Sequence, residues 1–273
     1  MRKKNNELSV FSQSWKILRN NKILILPSLI ILLINLVLFT LVIGFSGLGK
    51  VLIENRYLEI SSILTSGLFI VLFLLYLVLS LLIDNYFLTL KYGLIKEVLL
   101  KRKASWKFGL EFAKKHYFST LGIHVLSFLL VFVPLGLLAF LLFFLLPLTS
   151  LLALSIFIPL ALVYIVYLSV RLIFVYPVMV FEKEGAYKSL RDDFHFVKTH
   201  LHHTILTWLI VIGVTIFLAI LRQNSNYVNQ FFYNQILFLG ILGTAIVLAI
   251  EVAVSAWEHI FIFKSYLLEK REK

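Results

Sequence analysis

The sequence predicts an all-α integral membrane protein, a polytopic bundle of about six transmembrane helices. Composition is the first reason, since 60% of the 273 residues are hydrophobic, only 15% are charged, and the mean hydropathy is +0.95. Soluble domains carry about 25% charged residues. Length is the second reason, because several apolar runs reach the roughly 20 residues needed to cross a hydrocarbon core about 30 Å thick.

The apolar runs define six predicted spans. In chain order they cover about residues 23–46, 63–84, 119–146, 151–176, 204–221 and 236–261. The third and fourth spans are the hardest to separate. The segment from Pro147 to Ser150 is the best turn between them, because proline interrupts helices and hydroxyl side chains stabilise turns. Five or seven spans are the alternatives, but an odd number would place the two termini on opposite sides.

Basic residues are strongly segregated along the chain. All of the 26 Lys and Arg residues except Lys50, Arg56 and Arg222 fall in segments on the side of the termini. Because Lys and Arg concentrate in cytoplasmic loops, this distribution predicts an inner (plasma) membrane protein with both termini in the cytoplasm. It also explains the net charge of +12, so nucleic acid is not an expected partner. The absence of cysteine excludes disulfides and thiolate metal sites.

A threefold internal repeat divides this single membrane domain, residues 1–273, into units of about 8–100, 101–183 and 184–273. Two stretches align without gaps, and they are Ser105, Trp106, Lys107, Phe112, Lys114, His116 and Thr120 with Ser189, Leu190, Arg191, Phe196, Lys198, His200 and Thr204. Ser14, Trp15 and Lys16 begin a looser first copy. Each unit is predicted to contain a cytoplasmic amphipathic helix, a span, an outer loop and a returning span.

The predicted amphipathic helices have apolar residues at steps of three and four, flanked by Lys and Arg. Such helices lie in the headgroup region, where basic side chains meet anionic lipid and aromatic rings rest at the acyl boundary. The candidate lipid-contacting residues are Trp15, Trp106, Lys114, Lys115 and Lys198. Charge reversal of Lys114 and Lys115 should weaken contact with anionic lipid. The alternative is that these segments are the cytoplasmic ends of long spans.

Two stretches carry a resemblance to known proteins. Residues 168–185, LSVRLIFVYPVMVFEKEG, followed by Ser189 and Lys198, resemble a pattern of uncharacterised prokaryotic six-span membrane proteins, a domain of unknown function. Residues 11–22, FSQSWKILRNNK, before a span with Pro27, are similar to the same families. The nearest relative with a descriptive name is the membrane domain attached to some glycerophosphoryl diester phosphodiesterases. The resemblance implies a six-span arrangement but no catalytic activity, because no soluble phosphodiesterase domain is present.

Three ionisable residues lie inside or beside the predicted spans: Asp84, Arg171 and Glu251. A charge at membrane depth costs about 2.5–3.5 kcal/mol on insertion scales, so it normally faces protein or water and finds a partner. Each lies in the returning span of its unit, in or near the cytoplasmic half. A pseudo-threefold bundle would therefore bring them together as an ion or substrate site. The alternative is a structural ion pair, or side chains that reach the interface.

Other chemistry has weaker support in the sequence. His200 and His203 are three residues apart on one helix, but no carboxylate completes a zinc motif, so no metal or cofactor is expected. These histidines are otherwise expected to be polar residues at the membrane interface, or to sense pH. Glu258 and His259 are adjacent, which points their side chains about 100 degrees apart on a helix and makes a poor catalytic pair. Catalytic motifs of the familiar hydrolases and nucleotide-binding proteins are absent from the sequence.

The sequence therefore favours a non-enzymatic inner-membrane component that engages anionic lipids, a membrane-protein partner or a second copy of itself. A small transporter or permease with a polar site near Arg171 and Glu251 is the main alternative. Its repeats would be parallel, related by an axis along the membrane normal, whereas many transporter repeats are inverted. A membrane-embedded lipid enzyme is the third possibility, and it requires a polar pocket.

Overall fold

The structure is a computed structural model, and it describes residues 7–54, 60–145, 150–235 and 237–271. Every regular element in these ranges is helical. The helices are α1 (Glu7–Asn20), α2 (Leu26–Phe45), α3 (Leu48–Ile53), α4 (Ile60–Leu64), α5 (Gly67–Lys101), α6 (Trp106–Phe140), α7 (Ser150–Arg171), α8 (Val175–Glu182), α9 (Ala186–Thr199), α10 (Leu201–Gln235) and α11 (Leu237–Arg271). A short 3₁₀ turn precedes α2, and a π-helical turn, Leu141–Leu145, follows α6.

Within the described residues, six segments are long and apolar enough to cross a membrane, which is the number that the sequence predicts. They are Lys22–Phe45, Gly67–Lys101, Trp106–Phe144, Leu151–Glu182, Leu201–Asn224 and Ile241–Lys270. Most of these segments extend beyond the predicted spans at the end that lies on the same side of the bundle as the two chain termini. The turn predicted from Pro147 to Ser150, between the third and fourth spans, lies outside the described residues except for Ser150, which begins α7.

The three predicted amphipathic segments differ in how they join their spans. Helix α1 ends before Asn21, where the backbone leaves the helical region, and the 3₁₀ turn and Pro27 in the first turn of α2 follow. Helix α9 ends at His200, where the backbone also leaves the helical region. The second segment is instead the first part of the continuous helix α6, in which the first proline is Pro134. This segment and the span that follows it form one uninterrupted helix.

The packed core lies in the half of the bundle that contains α1, α9 and the 102–105 loop, named here the termini-side half. Its centre is the second half of α5, where every residue from Thr89 to Val98 is buried. Side chains on one face alone would be buried if α5 lay at the surface, so other helices must surround it. Helices α6, α8 and α11 pack around it, and α1 packs against α11.

The far ends of the spans, named here the opposite half, are packed much less closely. None of the residues in the most apolar window of Gly67–Lys101 is buried. Large apolar side chains stand exposed around these helices, including Val71, Val163 and Phe217. Helices that are apolar all round and exposed in this way are typical of segments that contact lipid tails.

Candidate functional site

The structure gives Asp84, Arg171 and Glu251 three separate sets of contacts. The Asn35 side-chain amide donates a hydrogen bond of 2.8 Å to the Asp84 carboxylate. The Arg171 guanidinium donates to the Phe194 carbonyl at 3.4 Å and lies over the Tyr167 ring. Among the described contacts, none joins two of these three residues. Their role as a shared ion or substrate site stays a prediction.

Glu251 lies farther from the termini than the sequence suggests. Its carboxylate is 3.7 Å from the Arg222 guanidinium, and Arg222 lies near the far end of its own span. The reason is the length of the last helix, because α11 continues to Arg271 and shifts the middle of the span toward the C-terminus. Glu251 therefore belongs to the opposite half of the bundle.

The five predicted lipid-contacting residues all lie at the termini-side end. Lys114, Lys115 and Lys198 are exposed. Trp15 is partly exposed and stacks on Trp257 of α11, with ring centroids 5.5 Å apart. Trp106 packs against the edge of the core. Both tryptophans therefore contact other side chains of the protein and are also partly exposed at its surface.

The histidines of α9 and α10 approach a carboxylate that the sequence does not place near them. Glu269 lies 3.9 Å from His200 and 3.7 Å from His203, measured between ring nitrogen and carboxylate oxygen. A second nitrogen of His203 is hydrogen-bonded to Ser265 at 3.0 Å. Within the described part of the chain, no group of three or more His, Asp or Glu residues is arranged to hold a metal ion.

A cleft of about 310 Å³ opens inside the termini-side half, between α7, α8, α10 and α11, with α5 at its base. Its lining residues are Tyr92, Ser169, Leu172, Ile173, Tyr176, Pro177, Trp208, Val211, Ile212, Glu258, His259, Ile262 and Phe263. All of them belong to candidate membrane spans. The cleft is therefore enclosed by helices that are candidate membrane spans, and its wall combines apolar, aromatic and ionisable groups.

Pro177 explains why the fourth span leaves room for this cleft. Proline lacks a backbone N–H and its ring collides with the carbonyl four residues earlier, so a continuous helix is interrupted just before it. Helix α7 ends at Arg171, and α8 begins at Val175 with Pro177 in its first turn. Leu172 and Ile173, in the break, line the cleft. Non-helical backbone at membrane depth is tolerated where it is covered by protein or lines a cavity.

Polar groups from α5 and α11 meet beside the cleft. The Lys91 ammonium lies 3.3 Å from both the carbonyl and the hydroxyl oxygen of Ser255. The same Ser255 carbonyl is 2.7 Å from Nδ1 of His259, which therefore carries the proton and leaves Nε2 as an acceptor. Lys91 is only 1% exposed, so its charge is held inside the bundle.

Glu258, one helical position before His259, has a different environment. Among the described residues, no hydrogen bond or ion pair within 4.0 Å reaches its carboxylate, although Lys91 lies close enough to interact with it electrostatically. Glu258 lines the cleft and is partly exposed to it. It is thus a carboxylate on the cleft wall that makes no direct hydrogen bond or ion pair with the described residues.

Aromatic rings form much of the remaining wall. The ring of Tyr92 lies 4.9 Å from Tyr176, 5.2 Å from Phe263 and 5.4 Å from His259, between centroids. The Trp208 indole N–H donates to the Ser169 hydroxyl at 2.9 Å across the gap between α10 and α7.

No family model, curated protein or solved structure matches the chain. The resemblance to uncharacterised membrane proteins consequently stays a prediction.

The cleft residues Lys91, Glu258 and His259 were not among the candidates from the sequence. The sequence predicts that the second span ends at residue 84, so it gives no reason to expect Lys91 beside a cavity between spans, whereas α5 continues to Lys101. Glu258 and His259 were considered only as a catalytic pair. The angle between adjacent side chains does not prevent both from lining one cavity, and the charge of Glu258 within an apolar helix was the available signal.

Lys96, a second buried lysine of α5, has a structural role. Its ammonium donates to the Val180 carbonyl and lies 5.3 Å from the centre of the Phe112 ring and 5.9 Å from that of Phe181. A carbonyl and two aromatic faces together satisfy a buried ammonium. Lys96 therefore joins α5 to α8.

Proposed function

We propose that this integral membrane protein binds a membrane amphiphile in the cleft and acts as a non-enzymatic, lipid-engaging component. The observation that carries the proposal is the position of the cleft, whose lining residues all belong to membrane spans. Pockets of this size hold a small headgroup or a chain segment, and apolar walls with a few polar groups are typical of ligand sites.

The opening of the cleft supports entry from the lipid. Helices α7 and α10, which border it, touch only slightly. Ser169 is exposed, and Trp208, Val211 and Ile212 are partly exposed. An amphiphile could therefore enter sideways between these two helices with its tail still in the membrane.

The basic surface at the termini-side end supports a second contact with lipid. Lys114, Lys115 and Lys198 are exposed there, and α1 presents Lys16 and Arg19 while its Val10 and Leu18 face the bundle. Each basic residue near an anionic surface contributes about 1 kcal/mol of attraction. We propose that the termini-side end faces the cytoplasm and that anionic lipid headgroups bind to its basic surface. We also propose that the amphipathic segments at this end belong to the threefold repeat.

The cleft proposal is tested by filling the cleft. Ile212→Trp places a large ring among the lining residues, whereas Ile216→Trp makes the same change one turn later at an exposed position. The full-length proteins are purified from phospholipid membranes in a mild detergent, and retained phospholipid is measured by native mass spectrometry. The original protein and Ile216→Trp should retain lipid that Ile212→Trp loses. Equal retention in all three would refute lipid binding in the cleft.

Transport is the second candidate function, favoured by the break in the fourth span. Interrupted helices that line a polar cavity are typical of transporter binding sites. Against it, the opposite half is packed too loosely to enclose a continuation of the pathway. Because the chain lacks cysteine, single cysteines at Leu172, Ile173 and Val247 can be labelled with a membrane-impermeant thiol reagent. Labelling of the cleft positions from both sides of the membrane would favour transport, and labelling from one side would favour binding.

A further inference from the structure

We propose that the cleft recognises an organic cation, the ammonium headgroup of an amphiphile, through Glu258 and a set of aromatic rings. This inference rests on the proposed function and names the chemical class of its ligand. Two features of the wall support it independently. One is the Glu258 carboxylate, which no hydrogen bond or ion pair from a described residue reaches, and the other is the concentration of aromatic side chains in the same cleft wall.

Glu258 is the charged group that a ligand in the cleft would meet. It lines the cleft and has no direct hydrogen bond or ion pair to any described residue. Lys91 does not line the cleft, and its ammonium is held by the two oxygens of Ser255. A carboxylate in a low-dielectric setting is costly to leave without a partner. A cation in the cleft would supply that partner.

The aromatic wall is suited to the same ligand. Tyr92, Tyr176, Trp208 and Phe263 all line the cleft. The faces of aromatic rings carry partial negative charge and attract ammonium groups, and cages of several rings bind quaternary ammonium in particular. An anionic headgroup would meet the aromatic wall and the Glu258 carboxylate, which repels it, while Lys91 does not line the cleft and so offers it no direct contact.

The remaining wall fits the tail of such an amphiphile. Leu172, Val211, Ile212 and Ile262 complete the lining with apolar side chains. The volume of about 310 Å³ is near the lower end of the range for small-molecule pockets. It accommodates a compact headgroup and the first part of a chain, with the rest of the chain in the surrounding lipid.

The test compares three amphiphiles with the same tail and different headgroup charge. The probes are octyltrimethylammonium, octyldimethylamine oxide and octyl sulfate, titrated into the full-length protein in an uncharged maltoside detergent. Calorimetry measures binding, and thermal unfolding checks that each variant is folded. We expect the cation to bind at least about tenfold more tightly than the sulfate.

Variants separate the contributions of charge and rings. Glu258→Gln should reduce cation binding about tenfold and leave the amine oxide unaffected, because only the cation gains from a full negative charge. Glu251→Gln is the matched control, since it removes a carboxylate that is already paired with Arg222. Trp208→Leu should weaken cation binding, and Trp208→Phe should restore most of it because a ring face is retained.

The outcomes distinguish this inference from the proposed function. Equal binding of the three probes, lost in Ile212→Trp, would overturn the preference for cations while supporting an amphiphile site. Binding of the cation that is unchanged in Glu258→Gln would also overturn the inference. Failure of all three probes to bind would overturn both the inference and the cleft proposal.

Discussion

The termini-side and opposite halves of the bundle are built from the same six helices but packed in different ways. In the termini-side half, large side chains such as Trp257, Phe261 and Tyr92 are almost completely buried. In the opposite half, Val71 and Phe217 are each 63% exposed. Helix α5 shows both environments within its own length, exposed near Gly67 and enclosed from Thr89 to Val98.

The difference lies in what drives helices together in each half. Lipid tails are as apolar as leucine, so apolar side chains gain little by leaving them, and association within the membrane depends on close packing and polar contacts. The termini-side half supplies both kinds of contact. The Trp257 ring stacks on Trp15 and on Phe261. The Asn85 side-chain amide donates a hydrogen bond to the Tyr117 carbonyl at 3.1 Å. Most of the stability of the fold should therefore reside there.

The largest expected effect compares two phenylalanines in the two halves. Phe261→Ala removes a fully buried ring that stacks on Trp257 at 5.3 Å, so it should reduce the free energy of unfolding by about 3–5 kcal/mol. Phe217→Ala removes an exposed ring and should cost about 0.5 kcal/mol or less. Unfolding by a denaturing detergent in mixed micelles measures both. Similar losses would mean that the opposite half contributes as much stability as the termini-side half.

A smaller effect is expected from adding one methyl group to each half. A Cβ atom at Gly93 would lie 2.7 Å from Cβ of Phe112, where α5 and α6 approach closely. Gly93→Ala should therefore destabilise the protein by about 1–3 kcal/mol. Gly136→Ala, with no atom within 4 Å of the new Cβ, should be neutral or stabilising because alanine favours helix. Thermal unfolding of the two variants in detergent tests the contrast, which fails if Gly93→Ala is harmless.

The smallest effect concerns pH at Asp193 of α9, outside the spans. Burial raises the pKa of this carboxyl group well above its usual range, although the Phe174 backbone amide and the Arg171 guanidinium act in the opposite direction. The folded protein therefore favours the protonated form, and this contribution to stability is lost as pH rises from about 4 through the folded-state pKa. Asp193→Asn, which resembles the protonated acid, should raise the melting temperature more at pH 8 than at pH 5.

The neighbouring residue provides the control for that experiment. Asp192 is partly exposed, and its carboxylate accepts a hydrogen bond from Arg191 at the surface. Asp192→Asn should give no gain in melting temperature at pH 8. An Asp193→Asn variant with the same melting-temperature difference at both pH values would show that Asp193 is charged throughout.

Part of the candidate site could be predicted from the sequence. Proline interrupts helices, and the structure places the break in the fourth span directly before Pro177, whereas Pro134 and Pro159 lie within α6 and α7. The pairing of Glu251 with Arg222 could not be predicted, since it depends on how far α11 extends and how it packs against α10. The hydrophobic run of the second span ends near Asp84, so the sequence does not show that α5 continues to Lys101 and brings Lys91 to Ser255.

The sequence by itself determined the class of the protein and the number of its spans, because apolar length and charge are properties of single segments and need no partner. Only the tertiary structure decided which segments meet. Lys91 and Ser255 are 164 positions apart, and their contact depends on the packing of α5 against α11. The cleft likewise takes its lining from four separate spans, so its chemistry follows from helix packing, which hydrophobic periodicity alone does not specify.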